Sequence, residues 1–503
     1  MKGKITLIGA GPGDPGLLTL KGAAAIASAD VVVFDRLVGP GVLAMIPESA
    51  EKIDVGKSGG KHPVPQDEIN RILVEKAEQG KNVIRLKGGD SFLFGRGGEE
   101  LETPAEKNID FEVIPGVTAS IAVPAYAGIP VTHRDYTSSV HIITGHAREG
   151  GRLSIDFDSL TKLNGTLVFM MGVGALDMIC EGLLEAGMEP EMPAAMIESG
   201  TTASQRKLIS TISKLPGDAR DFGIKPPSVI VVGRVCALSD RFDWYSSLPL
   251  MGCRVLVTRP KESRGTLSAK LAALGADVIE FPCVKLSEIS PNEALEKALP
   301  DIAAYSWLVF TSAYGVQVFL NRLAESGRDI RCLAGRKIAV IGSETAKIFT
   351  VRGVFPDYVP DVFDAEHLAD GLVGLVGKSE KVLLLRARMG TPALCEKLSA
   401  AGINYLDLPL YDTAYTEAAG SETEKLLNGR KINFVTFTSA STVEGFRRSF
   451  AGTDFSGLKG ICIGNQTNAA ARTLGIETVV SEKATIDSML TLIREMYANG
   501  NNE

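Results

Sequence analysis

Four glycines and two prolines crowd the first loop of the chain, where Gly9, Gly11, Gly13 and Gly16 are interleaved with Pro12, Asp14 and Pro15 in "IGAGPGDPGLL". A glycine-rich loop between a strand and a helix can cradle a phosphate. The dinucleotide version needs G-x-G-x-x-G, so that the third glycine opens a helix whose amides face the pyrophosphate. Gly9 and Gly11 fit the first two positions, but Asp14 occupies the third. Its carboxylate would repel a diphosphate, and Pro12 and Pro15 remove backbone donors where a phosphate would want them. The loop suits a ligand that carries no phosphate and comes close to the main chain. A plain tight turn is the alternative, although a turn does not need so many glycines and prolines.

The elements that must position this loop are those of an α/β protein. Apolar runs such as "VVVF", "NVIRL", "VHIIT", "TLVFMM" and "SVIVVG" alternate with helix-like stretches such as "DEINRILVEKAEQG". The chain has 503 residues, enough for at least two domains and as many as four at ~100–200 residues each. An apolar fraction of 45% and a charged fraction of 22% are those of ordinary globular proteins. No apolar run reaches the ~18 residues of a membrane span, and the N-terminus lacks the sections of a signal peptide. A cytoplasmic enzyme is therefore expected. The formal net charge of −7 gives no support to nucleic acid as a partner. Seven scattered cysteines without a Cys-x-x-Cys pair read as reduced core thiols, so no metal is expected.

Four further stretches come at intervals suited to successive strand-to-loop exits, which build the ligand site in open α/β sheets. They are "FDRLVGPGVL" (34–43), "DVGKSGGKHPVPQDEINRIL" (54–73), "VIRLKGGDSFLFGRGGEE" (83–100) and "VIPGVTASIAVPAYAGIPVTHRD" (113–135). Together with the first loop they resemble uroporphyrinogen-III C-methyltransferase of the tetrapyrrole methylase family, from about residue 3 to about 240. The resemblance implies a two-lobed α/β fold with S-adenosyl-L-methionine in the cleft between the lobes. It places the cofactor against Pro12, Gly88, Gly89, Asp90, Leu93, Thr118, Ala119, Met171 and Gly200. It makes Asp35 the proton acceptor and Lys57 the proton donor. By themselves, Asp35 reads as a helix cap or solvated loop acid and Lys57 as a surface lysine. This chain has Ser91 where the family usually has Pro after Gly-Gly-Asp, and Ser58 where it often has Arg, a loss that Lys61 could partly replace. His62, Gln66 and Asn70 follow at helical spacing and could face the cleft, although a capped polar helix explains them nearly as well.

After "RFDWYSSLPLM", which reads as a linker at 241–251, an internal repeat begins. "WLVFTSAYGVQVFLNRL" (307–323) and "KIAVIGSETAKIFTVRGV" (337–354) are echoed by "FVTFTSASTVEGFRRSF" (434–450) and "GICIGNQTNAAARTLGI" (460–476). Two copies suggest paired lobes facing a cleft. With "VLVTRP" and "LPLYDTAY" they resemble uroporphyrinogen-III synthase from about residue 252 to 500. The expected organisation is a methyltransferase at 1–240, a linker at 241–251 and a synthase at 252–503. Lobe one of the synthase would be 252–284 with 414–503, and lobe two 285–413. Substrate-binding candidates are Thr311, Ser312, Thr438 and Ser439 at the Phe-Thr-Ser exits and Thr345 and Thr467 at helix starts, each of which could equally be a helix cap. Tyr411 matches the family tyrosine that would assist loss of a hydroxyl, and Arg259, Arg386 and Arg388 are candidate cations.

The resemblance implies cyclisation of hydroxymethylbilane to uroporphyrinogen III with inversion of the last ring, followed by two methylations to precorrin-2. The partners would be small-molecule tetrapyrroles and, as a family expectation, a second copy in a homodimer through the methyltransferase half. No membrane or nucleic acid is expected, nor a dehydrogenase and ferrochelatase module. Two alternatives stay open: a non-catalytic, tetrapyrrole-binding second half, and a later corrin-ring intermediate as methyl acceptor.

Overall fold

The computed structural model describes residues 2–56, 64–146, 153–259, 265–418 and 420–500. The chain divides into two compact units: Met1–Cys253 with Ala272–Asp277, and Arg254–Leu271 with Val278–Glu503. Each contains two five-stranded sheets.

The first sheet of unit one holds β1 (Lys4–Gly9), β2 (Val31–Phe34), β3 (Glu51–Asp54), β4 (Asn82–Lys87) and β5 (Asp110–Ile114), all parallel, in the order β3-β2-β4-β1-β5. Its central strands are mostly apolar because helices cover both faces, with Arg85 and Lys87 of β4 and Thr6 of β1 the buried polar exceptions. Ile5, Leu7, Val31, Val33 and Val83 pack on one side, and Ile8, Val32, Ile84 and Leu86 on the other. Burying each such side chain contributes about 1.5–3 kcal/mol. The second sheet holds β6 (Val140–Thr144), β7 (Thr166–Met170), β8 (Pro193–Glu198), β9 (Arg206–Thr211) and β10 (Ser228–Val232), in the order β6-β7-β10-β8-β9. Only β6 and β7 pair in parallel there. The helix Ala119–Tyr126 joins the sheets, with Val123 packed among Val168, Ile197 and Val231.

Residues 241–251 do not hang free. The Trp244 indole donates to the Ala125 carbonyl at 3.1 Å, Tyr245 is buried, and both rings pack on Tyr126.

In unit two the first sheet has β11 (Arg254–Val257), β12 (Asp277–Glu280), β18 (Phe434–Phe437), β19 (Lys459–Cys462) and β20 (Glu477–Val480), ordered β12-β11-β18-β19-β20. The second has β13 (Val284–Glu288), β14 (Trp307–Phe310), β15 (Lys337–Val340), β16 (Lys381–Ala387) and β17 (Asn404–Tyr415), ordered β13-β17-β16-β14-β15. Strand β17 runs parallel to β16 and, at Tyr411–Tyr415, antiparallel to β13. The internal repeat has a physical basis here, since β14/β15 and β18/β19 are equivalent parallel pairs, each strand feeding a helix.

All seven cysteines are free, and Cys180, Cys236, Cys253, Cys283 and Cys462 are buried. Burial pushes the thiols of Cys236 and Cys283 up to about 12. The native protein is therefore expected to show only Cys332 and Cys395 to a thiol reagent at neutral pH, all seven reacting after unfolding. Counting thionitrobenzoate released before and after guanidinium checks this.

Candidate functional site

The exits of β1, β4 and β5 meet backbone to backbone. Gly11 and Gly89 exchange hydrogen bonds, N to O at 3.1 and 2.7 Å, and Ala10 N donates to the Lys87 carbonyl at 2.7 Å. A Cβ on Gly9 would lie 2.5 Å from the Gly116 Cα and 2.7 Å from the Gly89 oxygen, so no side chain fits between these loops. Asp90 is the bracket that holds them: Oδ1 accepts from the amides of Phe92 and Leu93 at 2.8 and 3.0 Å, and Oδ2 from Gly116 N at 2.9 Å. Gly88 sits where a Cβ would strike Leu37, and Gly89, at φ +68°, lies beside the Ala119 amide. Thr118 caps the helix Ala119–Tyr126 by accepting from Ser120 N. Pro12, Gly88, Gly89, Asp90, Leu93, Thr118 and Ala119 thus converge on one edge.

Gly200 and Met171 leave the second sheet at the ends of β8 and β7. Gly200 is packed against Val123, leaving no room for a side chain, and Met171 is half exposed in a left-handed conformation at φ 57°. Asp14 ties the two lobes of unit one. Its Oδ2 accepts from the Tyr126 hydroxyl at 2.7 Å, its Oδ1 from Gly16 N at 2.7 Å, and its amide donates to Thr201 Oγ1 at 3.2 Å. Burial and the adjacent carboxylate push the Tyr126 hydroxyl well above its ordinary value, keeping it a donor. The residue that breaks the dinucleotide pattern is the one that locks the loop. Tyr126→Phe is expected to destabilise unit one by about 1–2 kcal/mol, as loss of a partly exposed bond to a charged acceptor should. The urea transition reported by Trp244 fluorescence in a Trp307→Phe background measures this, since Trp244 packs on Tyr126.

Asp35 follows β2, with Oδ1 accepting from Leu37 N at 3.0 Å and Oδ2 lying 3.6 Å from Arg85 Nη2. Lys57, like Ser58, Lys61 and His62, lies outside the described residues. Gln66 and Asn70 tie two helices together: Gln66 Nε2 donates to Glu100 and Asn70 Nδ2 to the Glu99 carbonyl. Sequence reasoning missed Arg85, Lys87 and Glu100, which form a buried ionic cluster beneath Asp35. The available signal was two cations at alternate positions in a run that has to be a covered parallel strand. Burial and Arg85 lower the Lys87 pKa against the opposing pull of Glu100.

In unit two the exits of β14 and β18 are capped alike. Ser312 Oγ accepts from Gly315 N at 3.0 Å, and Ser439 forms a capping box with Thr442. Thr311 and Thr438 stand one residue earlier, half-buried. The next helices, Ser343–Thr350 and Asn465–Arg472, begin at Gly342 and Gly464 with no side-chain cap, leaving first-turn amides for an external acceptor. Thr345 and Thr467 are each only 4% exposed, so their side chains are covered at those helix starts.

Tyr411 is buried and donates to Ser312 Oγ at 2.8 Å, with Tyr314 edge-on against its ring. Burial raises its hydroxyl pKa, opposed by the bond to Ser312. Gln466 Nε2 donates to Asp364 Oδ2 at 3.2 Å, joining the loops of the two sheets. Arg386 is neutralised by a two-pronged pair with Asp407 at 2.7 and 2.6 Å, and Arg388 lies 3.4 Å from Asp412. Arg259 differs: its Nη1 is buried without a hydrogen-bond partner among the described residues, and burial lowers its pKa against the field of Glu344. Among the described residues no cluster of three His, Cys, Asp or Glu side chains could hold a metal, and no helix is long and apolar enough to cross a membrane.

These features define two α/β units, one whose first loop, β4 exit and β5 exit close backbone to backbone, and one with two helix starts that lack a side-chain cap. Residues 4–216 match the model of the Tetrapyrrole (Corrin/Porphyrin) Methylases, and residues 265–491 that of Uroporphyrinogen-III synthase HemD. A porphyrin biosynthesis protein HemD of Ruminiclostridium josui is 49% identical over 494 residues, 98% of each chain. Siroheme synthase 2 of Cronobacter sakazakii is 50% identical over 246 residues, 49% of this chain and 53% of that one, so the chain spans about half of that relative. A solved uroporphyrin III C-methyl transferase from Thermus thermophilus is 36% identical, covering 47% of this chain and 100% of that chain at a TM-score of 0.41. A solved mutant uroporphyrinogen III synthase, also from Thermus thermophilus, is 19% identical, covering 49% and 99% at a TM-score of 0.40. The chain belongs to the tetrapyrrole-biosynthesis proteins that join a tetrapyrrole methylase unit to a HemD uroporphyrinogen-III synthase unit.

Proposed function

We propose that unit two cyclises hydroxymethylbilane to uroporphyrinogen III with inversion of the last ring, and that unit one methylates this product twice with S-adenosyl-L-methionine to give precorrin-2. The reading assigns the methyltransferase to residues 1–240 and the synthase to 252–503, in the cytoplasm, with a homodimer through the first half. It carries no role for nucleic acid or membrane.

The observation that carries the first activity is the closure of Gly9, Gly89 and Gly116 on one another beside Asp14, Pro12 and Pro15. It supports a ligand held by main chain, one without the phosphates that Asp14 would repel. S-adenosyl-L-methionine fits that chemistry and supplies an electrophilic methyl on a sulfonium. Gly88, Gly89, Leu93, Thr118 and Ala119, with Pro12, Met171 and Gly200, would hold it, while Asp90 keeps the loops in register. With the donor bound, the pyrrole carbon would take the methyl as the carbon–sulfur bond breaks, and Asp35 would accept the proton that the macrocycle gives up. Lys57 would act as proton donor.

The uncapped amides at 342–345 and 464–467, the Arg259 Nη1 that has no hydrogen-bond partner among the described residues, and the hydroxyls of Thr311, Ser312, Thr438 and Ser439 support grip on a flexible polycarboxylate. Tyr411 gives a proton to the departing hydroxyl, which leaves as water. Purified protein given hydroxymethylbilane should form uroporphyrinogen III alone, and a dimethylated product when S-adenosyl-L-methionine is added. Uroporphyrinogen I alone would remove the synthase assignment and leave a binding unit in its place.

A further inference from the structure

Arg85 and Lys87 are 2% and 6% exposed on one face of β4, and Glu100, 0% exposed, meets them from the first turn of the helix Gly97–Glu106. Glu100 Oε1 accepts from Arg85 Nε at 3.1 Å, Lys87 Nζ at 2.7 Å and Gln66 Nε2 at 3.3 Å. Its Oε2 has no partner among the described residues. Taking these charges out of water is expensive, and apolar side chains of similar volume commonly stabilise a core as well or better. Stability alone does not account for the cluster.

Its geometry points elsewhere. With Nε on Glu100, the Arg85 guanidinium extends along the end of β2. Nη1 donates to the carbonyls of Leu86 at 3.0 Å and Val33 at 3.4 Å, and Nη2 approaches Asp35 Oδ2 at 3.6 Å. The other Asp35 oxygen is occupied by its own turn, through Leu37 N. One planar fork therefore spans two carboxylates, which a lysine in its place could not do. Lys87 completes the balance, giving two cations and two carboxylates.

We propose that the buried Glu100–Arg85 pair is a positioning device that fixes the Asp35 carboxylate for proton removal from the methylated macrocycle. This rests on the reading of Asp35 as the proton acceptor. Glu100 and Arg85 are covered and act through Asp35 without touching substrate.

A double-mutant cycle on the full chain tests it, with methyl transfer to uroporphyrinogen III as the rate and calorimetric binding of S-adenosylhomocysteine as the check on fold. Arg85→Lys keeps the charge, and Arg85→Met leaves Glu100 and Lys87 to neutralise each other, so the two stress the fold differently. Each is expected to lower kcat about 10- to 100-fold, the scale of a small misplacement of a reacting group. KM for the tetrapyrrole and the affinity for S-adenosylhomocysteine should stay within about twofold. Added to Asp35→Asn, Arg85→Lys should change kcat less than about twofold, because residues acting as one unit are not additive. Equal losses in both backgrounds, an unchanged kcat, or loss of S-adenosylhomocysteine binding in both Arg85 variants would overturn the proposal. Full activity in Asp35→Asn would remove the proton-acceptor reading itself, and the inference with it.

Discussion

Gly116→Ala is expected to cost about 10- to 100-fold in affinity for S-adenosyl-L-methionine and to slow methyl transfer by at least about 100-fold, while ring closure by unit two continues unchanged. A Cβ at this position would lie 2.6 Å from the Gly9 Cα and 2.6 Å from its carbonyl carbon, and would press on the Gly89 oxygen. These are backbone atoms, which cannot rotate away as a flexible side chain would. The exit of β5 has to shift, and with it the bond from Gly116 N to Asp90. Overpacking of this kind costs about 1–3 kcal/mol, and a displacement of about 1 Å in a site that holds reacting atoms costs about 100-fold more. Gly217→Ala is the matched control, since a Cβ there meets nothing within 4 Å. Calorimetric titration with S-adenosylhomocysteine, beside an assay of each activity, separates the two outcomes.

Tyr411→Phe is expected to slow formation of uroporphyrinogen III about 100-fold, the low end of what a positioned proton donor contributes. The change removes one oxygen and little else, because Ser312 Oγ still caps Gly315 and Tyr314 still packs on the ring. Hydroxymethylbilane that is not processed should appear as uroporphyrinogen I by spontaneous closure, so the isomer ratio reads the effect directly. Burial holds the Tyr411 hydroxyl above its ordinary value of 10.0, so the protonated form persists through neutral and mildly alkaline pH. The wild-type rate should accordingly show no loss from this group below that value. A variant that keeps its isomer ratio would take Tyr411 out of the chemistry.

Much of the architecture is legible in the sequence because it rests on local pattern. The alternation of apolar runs with helical stretches marks the α/β class, and the doubled Phe-Thr-Ser exits mark the paired sheets of unit two, since a repeated strand-to-helix turn repeats its cap. The glycines of the first loop announce close backbone approach, but the role of Asp14 is not visible beside them. Its partners Tyr126 and Thr201 lie 112 and 187 residues away, and no spacing rule reaches that far. For the same reason the contact of Tyr411 with Ser312, across 99 residues, is out of reach. The stretch "RFDWYSSLPLM" reads as a linker from its turn residues, yet Trp244 and Tyr245 are held by a ring, Tyr126, that composition could not pair with them. "NVIRL" reads as one more apolar strand because a single arginine rarely changes such a pattern. Lys87 two residues on is the hint that the strand carries a covered pair of cations, and the fold adds that Glu100 meets them.

The central claim is that the glycine- and proline-laden first loop closes a pocket for a sulfonium methyl donor and rejects nucleotide phosphates. Equilibrium titration of the intact protein with S-adenosyl-L-methionine and, separately, with NADH tests it most directly. One S-adenosyl-L-methionine site per chain, competed by S-adenosylhomocysteine and weakened in Gly116→Ala, with no saturable NADH binding, is the expected result. Saturable NADH binding abolished by the same substitution, or no binding of the methyl donor by the wild-type chain, would contradict the account.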